Sequence, residues 1–150
     1  MKLPAPAAVV PHTGSCVLLE ELLAADDHEL RATVRITPTP YSAPDGSLPG
    51  WAGLEIMAQA VSAYAGCKAL ARGEPIRPGL LLGARAYRCR EPVLGAGRAF
   101  EVSIRASTVD PEGLGVFDCE LTADGAPFAS GTLTVFQPED ATRFIEEQGS

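Results

Sequence analysis

Metal-binding residues are scarce in this sequence. It has two histidines, His12 and His28, and four cysteines, of which no two are close together in the chain. Zinc sites built from cysteine and histidine need short, regular spacings, and redox-active thiols use a similar arrangement. The sequence therefore argues against both kinds of site, and we expect the cysteines to be small buried apolar residues. They are Cys16, Cys67, Cys89 and Cys119.

Long apolar runs and an excess of positive charge are also absent. No stretch of apolar residues approaches the about 20 that a membrane-spanning helix needs. The first residues, Met1 to Pro6, lack the apolar stretch of a secretory signal peptide. The formal net charge of −7 disfavours nucleic acid as a general partner. We therefore expect a cytoplasmic protein that binds neither nucleic acid nor membranes.

The chain length and the order of the predicted elements favour one α+β domain over residues 1–150. The domain is expected to carry an irregular arm at 1–11 and an acidic tail at 137–150. Alternating apolar and polar residues predict strands, and apolar residues at intervals of three and four predict one long helix. The predicted strands cover 16–23, 30–36, 79–90, 98–109, 114–123 and 127–136, and the helix covers 51–71.

This order places two strands before the helix and four after it. We expect a curved antiparallel sheet of about six strands wrapped around the helix, because that arrangement buries the apolar faces of both. Asp124-Gly125 predicts a short hairpin between the last two strands. The loop before the helix, residues 38–50, contains four prolines and two glycines and is expected to be irregular.

A polar pair occurs within the predicted helix. Glu55 and Gln59 are four residues apart, so they share one face of a helix that is otherwise apolar and rich in alanine. A carboxylate in apolar surroundings is costly unless it is paired or takes part in chemistry. The helix begins after a Pro49-Gly50 turn, and a helix N-terminus presents free N–H groups. These features predict a functional site at the start of the helix.

The helix motif resembles that of a known enzyme family. Pro49-Gly50, four further residues and Glu55 are similar to the Pro-Gly-x-x-x-x-Glu motif of hotdog-fold 3-hydroxyacyl-(acyl carrier protein) dehydratases. Met57-Ala58-Gln59-Ala60 is similar to their Met-Ala-Gln-Ala motif, and the segment from Val10 to Glu21 is similar to their opening segment. The divergent dehydratase-like subfamily of aryl polyene pathways has the most similar pattern. The resemblance implies a hotdog fold and an activity on acyl thioesters.

One residue of the family motif is missing. In the ordinary dehydratases a histidine precedes the Pro-Gly turn and is the usual base, and counting back places Tyr41 at its position. A tyrosine phenol is protonated near neutral pH and is a poor base. The resemblance implies that Glu55 acts as acid or base and that Gln59 orients it or contacts the substrate. His12 is then the candidate base by elimination.

The resemblance also implies where the substrate binds. Backbone amides at the helix start are expected to polarise the thioester carbonyl. No cofactor is implied, because the acyl group arrives on the phosphopantetheine of an acyl carrier protein or on coenzyme A. The predicted substrate-binding residues are Tyr41, Gly50, Trp51 and Gly53.

A basic segment follows the helix. Seven of the twelve lysines and arginines lie between residues 68 and 98, where Glu74 and Glu91 are the only acids. Acyl carrier proteins are acidic, so a basic rim beside the site would attract them. An ordinary solvated strand face would explain the same residues. The residues that we assign to carrier-protein binding are Arg85, Arg88 and Arg90.

Three functions are open at this stage. The first is a dehydratase, either a homodimer or a heterodimer with a histidine-bearing hotdog paralogue. The second is a hotdog thioesterase, in which Glu55 activates water or attacks the thioester itself. The third is a non-catalytic subunit that binds a carrier protein or stabilises a partner enzyme. We favour the first because the motif around Glu55 is present, and we expect at least a dimer because a lone sheet would expose its edge.

Overall fold

A single long helix, α1, lies against an antiparallel sheet of six strands in the computed structural model, which describes residues 3–10, 14–77 and 79–137. Two further strands of two residues each, β3 and β5, pair with each other. This architecture confirms the predicted hotdog fold. The elements are β1 (Leu19–Ala25), β2 (Glu29–Arg35), β3 (Leu48–Pro49), α1 (Ala52–Ala71), β4 (Leu80–Cys89), β5 (Val93–Leu94), β6 (Ala99–Val109), β7 (Leu114–Ala123) and β8 (Ala126–Phe136).

The sheet order places the strand that follows the helix at an edge. The six strands run in the order β1-β2-β6-β7-β8-β4, and every neighbouring pair is antiparallel. The chain therefore crosses the sheet through α1 before β4 begins. The last three strands, β6 to β8, then fill the space between β2 and β4. The two edges of the sheet are β1 and β4.

The core lies between α1 and the inner face of the sheet. Apolar residues of β2 and β6 face each other in register, with Leu30 opposite Ile104 and Ala32 opposite Val102, and all four are buried. Successive residues of a strand point to opposite faces, so the polar residues between them lie on the outer face. The small residues of α1 allow the helix to pack closely on this surface.

The N-terminal arm is more ordered than its composition suggests. Its residues Pro6–Ala8 form a 3-10 turn, and Val9 is completely buried. The backbone of Val9 lies so close to α1 that the helix needs a glycine there, because a Cβ at Gly66 would overlap the carbonyl oxygen of Val9. A contact far along the chain, with Gly66 of α1, therefore holds this part of the predicted arm.

The other differences from the predicted elements are local. The first strand begins at Leu19 and not at residue 16, because Gly14–Cys16 form a 3-10 turn. The loop predicted to be irregular contains β3, whose pairing with β5 joins the turn before α1 to the segment after β4. The predicted acidic tail lies outside the described residues from residue 138 onward.

We predict that Gly66→Ala destabilises the protein. In an ordinary helix interior this change stabilises by about 1 kcal/mol. Here the added methyl group meets the backbone of Val9, so we expect the free energy of unfolding to fall by about 1–3 kcal/mol. Urea denaturation measures it, with Ser62→Ala in the same helix as a control that changes stability by less than about 0.5 kcal/mol. An increase in stability for Gly66→Ala would show that the arm does not pack there.

Candidate active site

An open pocket of about 370 Å³ lies beside the first turn of α1. Its walls come from the segment before β1, the loop before the helix, and the helix itself. Most of the side chains are apolar, and Glu55 is the one charged residue among them. The lining residues are Cys16, Leu18, Thr39, Tyr41, Leu48, Pro49, Trp51, Ala52 and Glu55. The pocket thus brings together Glu55, Tyr41 and Trp51 from the predicted site.

Gln59 connects the pocket wall to the helix. Its side chain is completely buried, and its Oε1 accepts a hydrogen bond of 2.9 Å from the N–H of Leu18. Its Nε2 donates to the carbonyl oxygen of Cys16 at 2.6 Å and to Oε1 of Glu55 at 3.3 Å. A buried amide needs such partners. Gln59 therefore contacts Glu55, with which its spacing places it on one helix face, while its own side chain is enclosed by protein.

The two members of the polar pair occupy different environments. Glu55 is exposed in this single chain, although its position in an apolar helix led us to expect apolar surroundings. The sheet covers only part of α1, and the face that carries Glu55 is left open to solvent. The carboxylate also lies in the first turn of the helix, where the helix dipole favours negative charge.

The turn before the helix is held by hydrogen bonds on both sides of Gly50. The N–H of Gly50 donates to the carbonyl oxygen of Pro92 at 2.7 Å. Its carbonyl oxygen accepts from the hydroxyl of Tyr87 at 2.6 Å and from the N–H of Gly53 at 3.2 Å. The amides of Gly50 and Gly53 are thus occupied, so a substrate carbonyl would have to displace a partner to reach them.

Two amides at the helix start remain for a ligand. Within the described parts of the chain, no protein group accepts a hydrogen bond from the N–H of Trp51 or of Ala52. Both residues line the pocket that contains Glu55. Helix N-termini stabilise developing negative charge through such groups. Two residues that line the pocket beside Glu55 therefore have backbone N–H groups without an acceptor among the described residues.

Neither histidine is placed beside Glu55 by the described residues. His12 lies outside them. His28 is exposed in the turn between β1 and β2, next to Asp27, whose carbonyl oxygen accepts a 2.7 Å hydrogen bond from Tyr64. Tyr64 is nine residues beyond Glu55 in α1, a distance of about 13 Å along the helix. His28 therefore lies beside the second half of the helix, away from Glu55.

The three arginines assigned to partner binding are exposed but divide between two surfaces. Arg85 and Arg88 pair with Thr132 and Ser130 of β8. Leu133, which follows Thr132 in β8, is completely buried against the core. Neighbouring residues of a strand point to opposite faces, so Thr132, Ser130 and the arginines paired with them lie on the outer face of the sheet. Arg90 follows β4 and lines a shallow surface together with the turn at Gly50 and Trp51. Only Arg90 is thus adjacent to the pocket mouth.

Tyr87 was not among the predicted residues. It lies in β4 and reaches across to the turn that begins α1. Its pattern in the sequence is that of an ordinary strand residue. The contact between Tyr87 and Gly50 depends on the pairing of β4 with β8 and on the position of the helix. No local signal in the sequence therefore distinguishes Tyr87.

The predicted site residues lie away from the other large cavity in the described chain. A larger cavity of about 440 Å³ lies along the second half of α1, but it contains none of the predicted residues. The four cysteines are unpaired, and burial raises the pKa of the Cys119 thiol to about 12. Among the described residues, no group of three or more metal-ligating side chains is close enough to hold an ion.

The described residues also include no helix that has both the length and the hydropathy needed to cross a membrane.

Comparison with known proteins gives a family and a close structural likeness. The model of a family described as ApeP-like, ApeP dehydratase, matches residues 4–146. Among solved structures, the dehydratase heterocomplex ApeI:P from Xenorhabdus doucetiae contains a chain with 29% sequence identity and a TM-score of 0.88. The match covers 98% of this chain and 99% of that one. Comparison with curated protein sequences gives no match.

More distant structures share the fold alone. A mutant thioesterase from Pseudomonas aeruginosa has 20% identity and a TM-score of 0.54, over 80% of this chain and 81% of that one. The PaaI protein from the phenylacetic acid degradation operon of E. coli has 13% identity and a TM-score of 0.58, over 78% of this chain and 82% of that one.

We predict that Gln59→Leu destabilises the fold while Glu55→Gln does not. Leucine leaves the N–H of Leu18 and the carbonyl of Cys16 without the partner that Gln59 provides. Each buried group left unpaired costs roughly 1–3 kcal/mol, so we expect a total loss of about 2–4 kcal/mol in urea denaturation. Glu55→Gln, at an exposed position, is the control and should change stability by less than about 0.5 kcal/mol. Equal stability of the two variants would contradict the role of Gln59.

Proposed function

The chain belongs to the ApeP-like family of dehydratases, and on that premise we propose that it is one subunit of a cytoplasmic heterodimer that dehydrates 3-hydroxyacyl thioesters. A hotdog paralogue supplies the histidine base across the subunit interface, and Glu55 acts on the leaving hydroxyl group. The observation that carries the proposal is the pocket itself. It combines Glu55 with Trp51 and Ala52 of the helix start, and it holds Tyr41 at the position where the family motif has its histidine.

The chemistry divides between the two subunits. The partner's histidine removes the proton from C2 of the acyl chain, and the amides of Trp51 and Ala52 stabilise the negative charge that develops on the thioester oxygen. Glu55 passes a proton to the hydroxyl group on C3. The C2–H and C3–O bonds break, a C2=C3 double bond forms, and water leaves. The hydrogen bond from Gln59 keeps Glu55 directed toward the pocket.

An exposed sheet edge supports the presence of a partner. β4 is an edge strand of ten residues, and Leu81 and Leu82 in it are 47% and 57% exposed. An exposed edge strand with apolar side chains invites pairing with another strand. Trp51, which lines the site, is 66% exposed as well. A second hotdog subunit that pairs along β4 would cover these residues and complete the pocket wall. The similarity to a subunit of the ApeI:P heterocomplex supports the same assembly.

The test uses hydration, the reverse reaction, which is followed by the loss of enoyl-thioester absorbance. Crotonyl-phosphopantetheine is offered to this chain alone and to its complex with a histidine-bearing hotdog paralogue. We expect the chain alone to be inactive and the complex to be active. Glu55→Gln in the complex should lower the rate by about 10²–10⁴-fold, the usual contribution of general acid–base catalysis.

The controls separate the three functions. Glu74→Gln, an exposed carboxylate beyond the end of α1, should leave hydration unchanged. Release of free thiol by the chain alone, lost in Glu55→Gln, would replace the proposal with a thioesterase. A complex whose activity is insensitive to Glu55→Gln would reduce this chain to a non-catalytic subunit.

We further propose that an acyl carrier protein delivers the substrate at the basic surface near Arg90, with coenzyme A thioesters as the alternative. Arg90→Glu should weaken carrier-protein binding to the heterodimer by about three- to tenfold, and more at low ionic strength because screening is weaker there. Titration calorimetry at two salt concentrations measures it. Arg105→Glu, in β6 on the far side of the sheet from β4, changes the net charge equally and should bind as the wild type does. Equal weakening by both variants would show a general charge effect and contradict a local docking surface.

A further inference from the structure

We propose that Tyr87, on the edge strand β4, is a positioning residue that holds the first turn of α1 in the orientation the site needs. Its hydroxyl donates a 2.6 Å hydrogen bond to the carbonyl oxygen of Gly50, 37 residues away in the chain. The residues directly after Gly50 are Trp51 and Ala52, whose amides face no protein acceptor in the described chain. The catalytic consequence of this inference rests on the proposed function, whereas the positioning itself does not.

Two glycines make room for the Tyr87 side chain. A Cβ at Gly53, in the first turn of α1, would overlap the Tyr87 hydroxyl. A Cβ at Gly131, in β8, would lie 3.3 Å from the Tyr87 ring. The ring therefore occupies a slot between the helix and the sheet that a side chain at Gly53 would block and a side chain at Gly131 would narrow. The hydroxyl reaches Gly50 through that slot.

A bulge in β4 turns Tyr87 inward. Between Arg85 and Arg88, β4 has one residue more than the segment of β8 that it pairs with. Without the extra residue Tyr87 would lie on the same outer face as Arg85, two positions before it. Ala86 adopts a φ of 54° within the bulge, a left-handed conformation that costs a non-glycine residue about 1–2 kcal/mol. The strain is thus placed where it directs Tyr87 toward the helix.

The turn is held firmly because both polar groups of Gly50 have partners. The N–H of Gly50 donates to Pro92, and the carbonyl accepts from Tyr87. Burial raises the pKa of the Tyr87 hydroxyl above its usual range, so the hydroxyl stays a donor across neutral pH. Amides that stabilise a transition state must be in place before the charge develops. Loss of the Tyr87 contact should therefore act mainly on the rate of the chemical step.

The same helix supplies a matched control. Tyr64 donates a 2.7 Å hydrogen bond to the carbonyl oxygen of Asp27, and this bond also ties α1 to a distant backbone group. It lies in the second half of the helix, away from the pocket. Tyr64→Phe and Tyr87→Phe thus remove equivalent hydrogen bonds, each worth about 1 kcal/mol of stability, and only the second lies at the site.

The first test compares both variants in the heterodimer. We expect Tyr87→Phe to lower kcat for crotonyl-phosphopantetheine hydration about tenfold while KM changes less than about twofold, because the lost positioning matters mainly in the transition state. Tyr64→Phe should leave both constants unchanged. Equal kcat values for Tyr87→Phe, Tyr64→Phe and the wild type would overturn the inference.

The second test needs no activity. Trp51 is the single tryptophan of the chain and directly follows Gly50, so its fluorescence anisotropy decay reports the mobility of the turn. In the full chain, Tyr87→Phe should increase the amplitude of fast Trp51 motion, and Tyr64→Phe should not. Unchanged decay in Tyr87→Phe would show that the hydroxyl does not hold the turn. A wild-type complex without hydration activity would overturn the proposed function separately, and the anisotropy would still decide the positioning.

A double variant tests the slot. Gly53→Ala alone forces the Tyr87 side chain away from Gly50, because the new Cβ overlaps its hydroxyl. In a Tyr87→Phe background the nearest ring atom lies 3.2 Å from that Cβ, so the clash is largely relieved. We therefore expect the double variant to be as active as Tyr87→Phe alone, which is a non-additive result. Losses that simply multiply would contradict the shared mechanism.

Discussion

Much of the site depends on one buried amide side chain, that of Gln59. It holds the backbone of Cys16 and Leu18 against α1 and donates to Glu55. Because the amide is completely buried, a broken hydrogen bond leaves a polar group without water to replace its partner. The start of β1, one wall of the pocket and the orientation of the carboxylate are therefore coupled through a single residue.

The exposure of Glu55 in one chain has a physical explanation in the fold. A six-stranded sheet covers only part of α1, and the uncovered part carries Glu55. The edge strand β4, which follows α1, leaves Leu81 and Leu82 exposed. In the proposed heterodimer, one partner surface pairs with β4. That pairing would cover the two leucines and bring a base toward the carboxylate of Glu55.

Local signals in the sequence account for most of the secondary structure. The strand 114–123 and the helix end at Ala71 agree with the predicted bounds, and the Asp124-Gly125 hairpin joins the last two strands. Such features depend on periodicity and turn residues within a few positions. The 3-10 turn at Gly14–Cys16, the burial of Val9 and the pairing of β3 with β5 were missed. Each depends on a contact with a distant segment, which periodicity does not report.

The α+β order, the family motif and the position of Glu55 and Gln59 on one helix face can all be predicted from local patterns in the chain. Tertiary packing made the difference between the buried Gln59 and the exposed Glu55. It also separated Arg85 and Arg88 from Arg90 and brought Tyr87 to the helix start. The physical reason is that spacing tells which residues share a face, whereas strand register and bulges decide what that face meets.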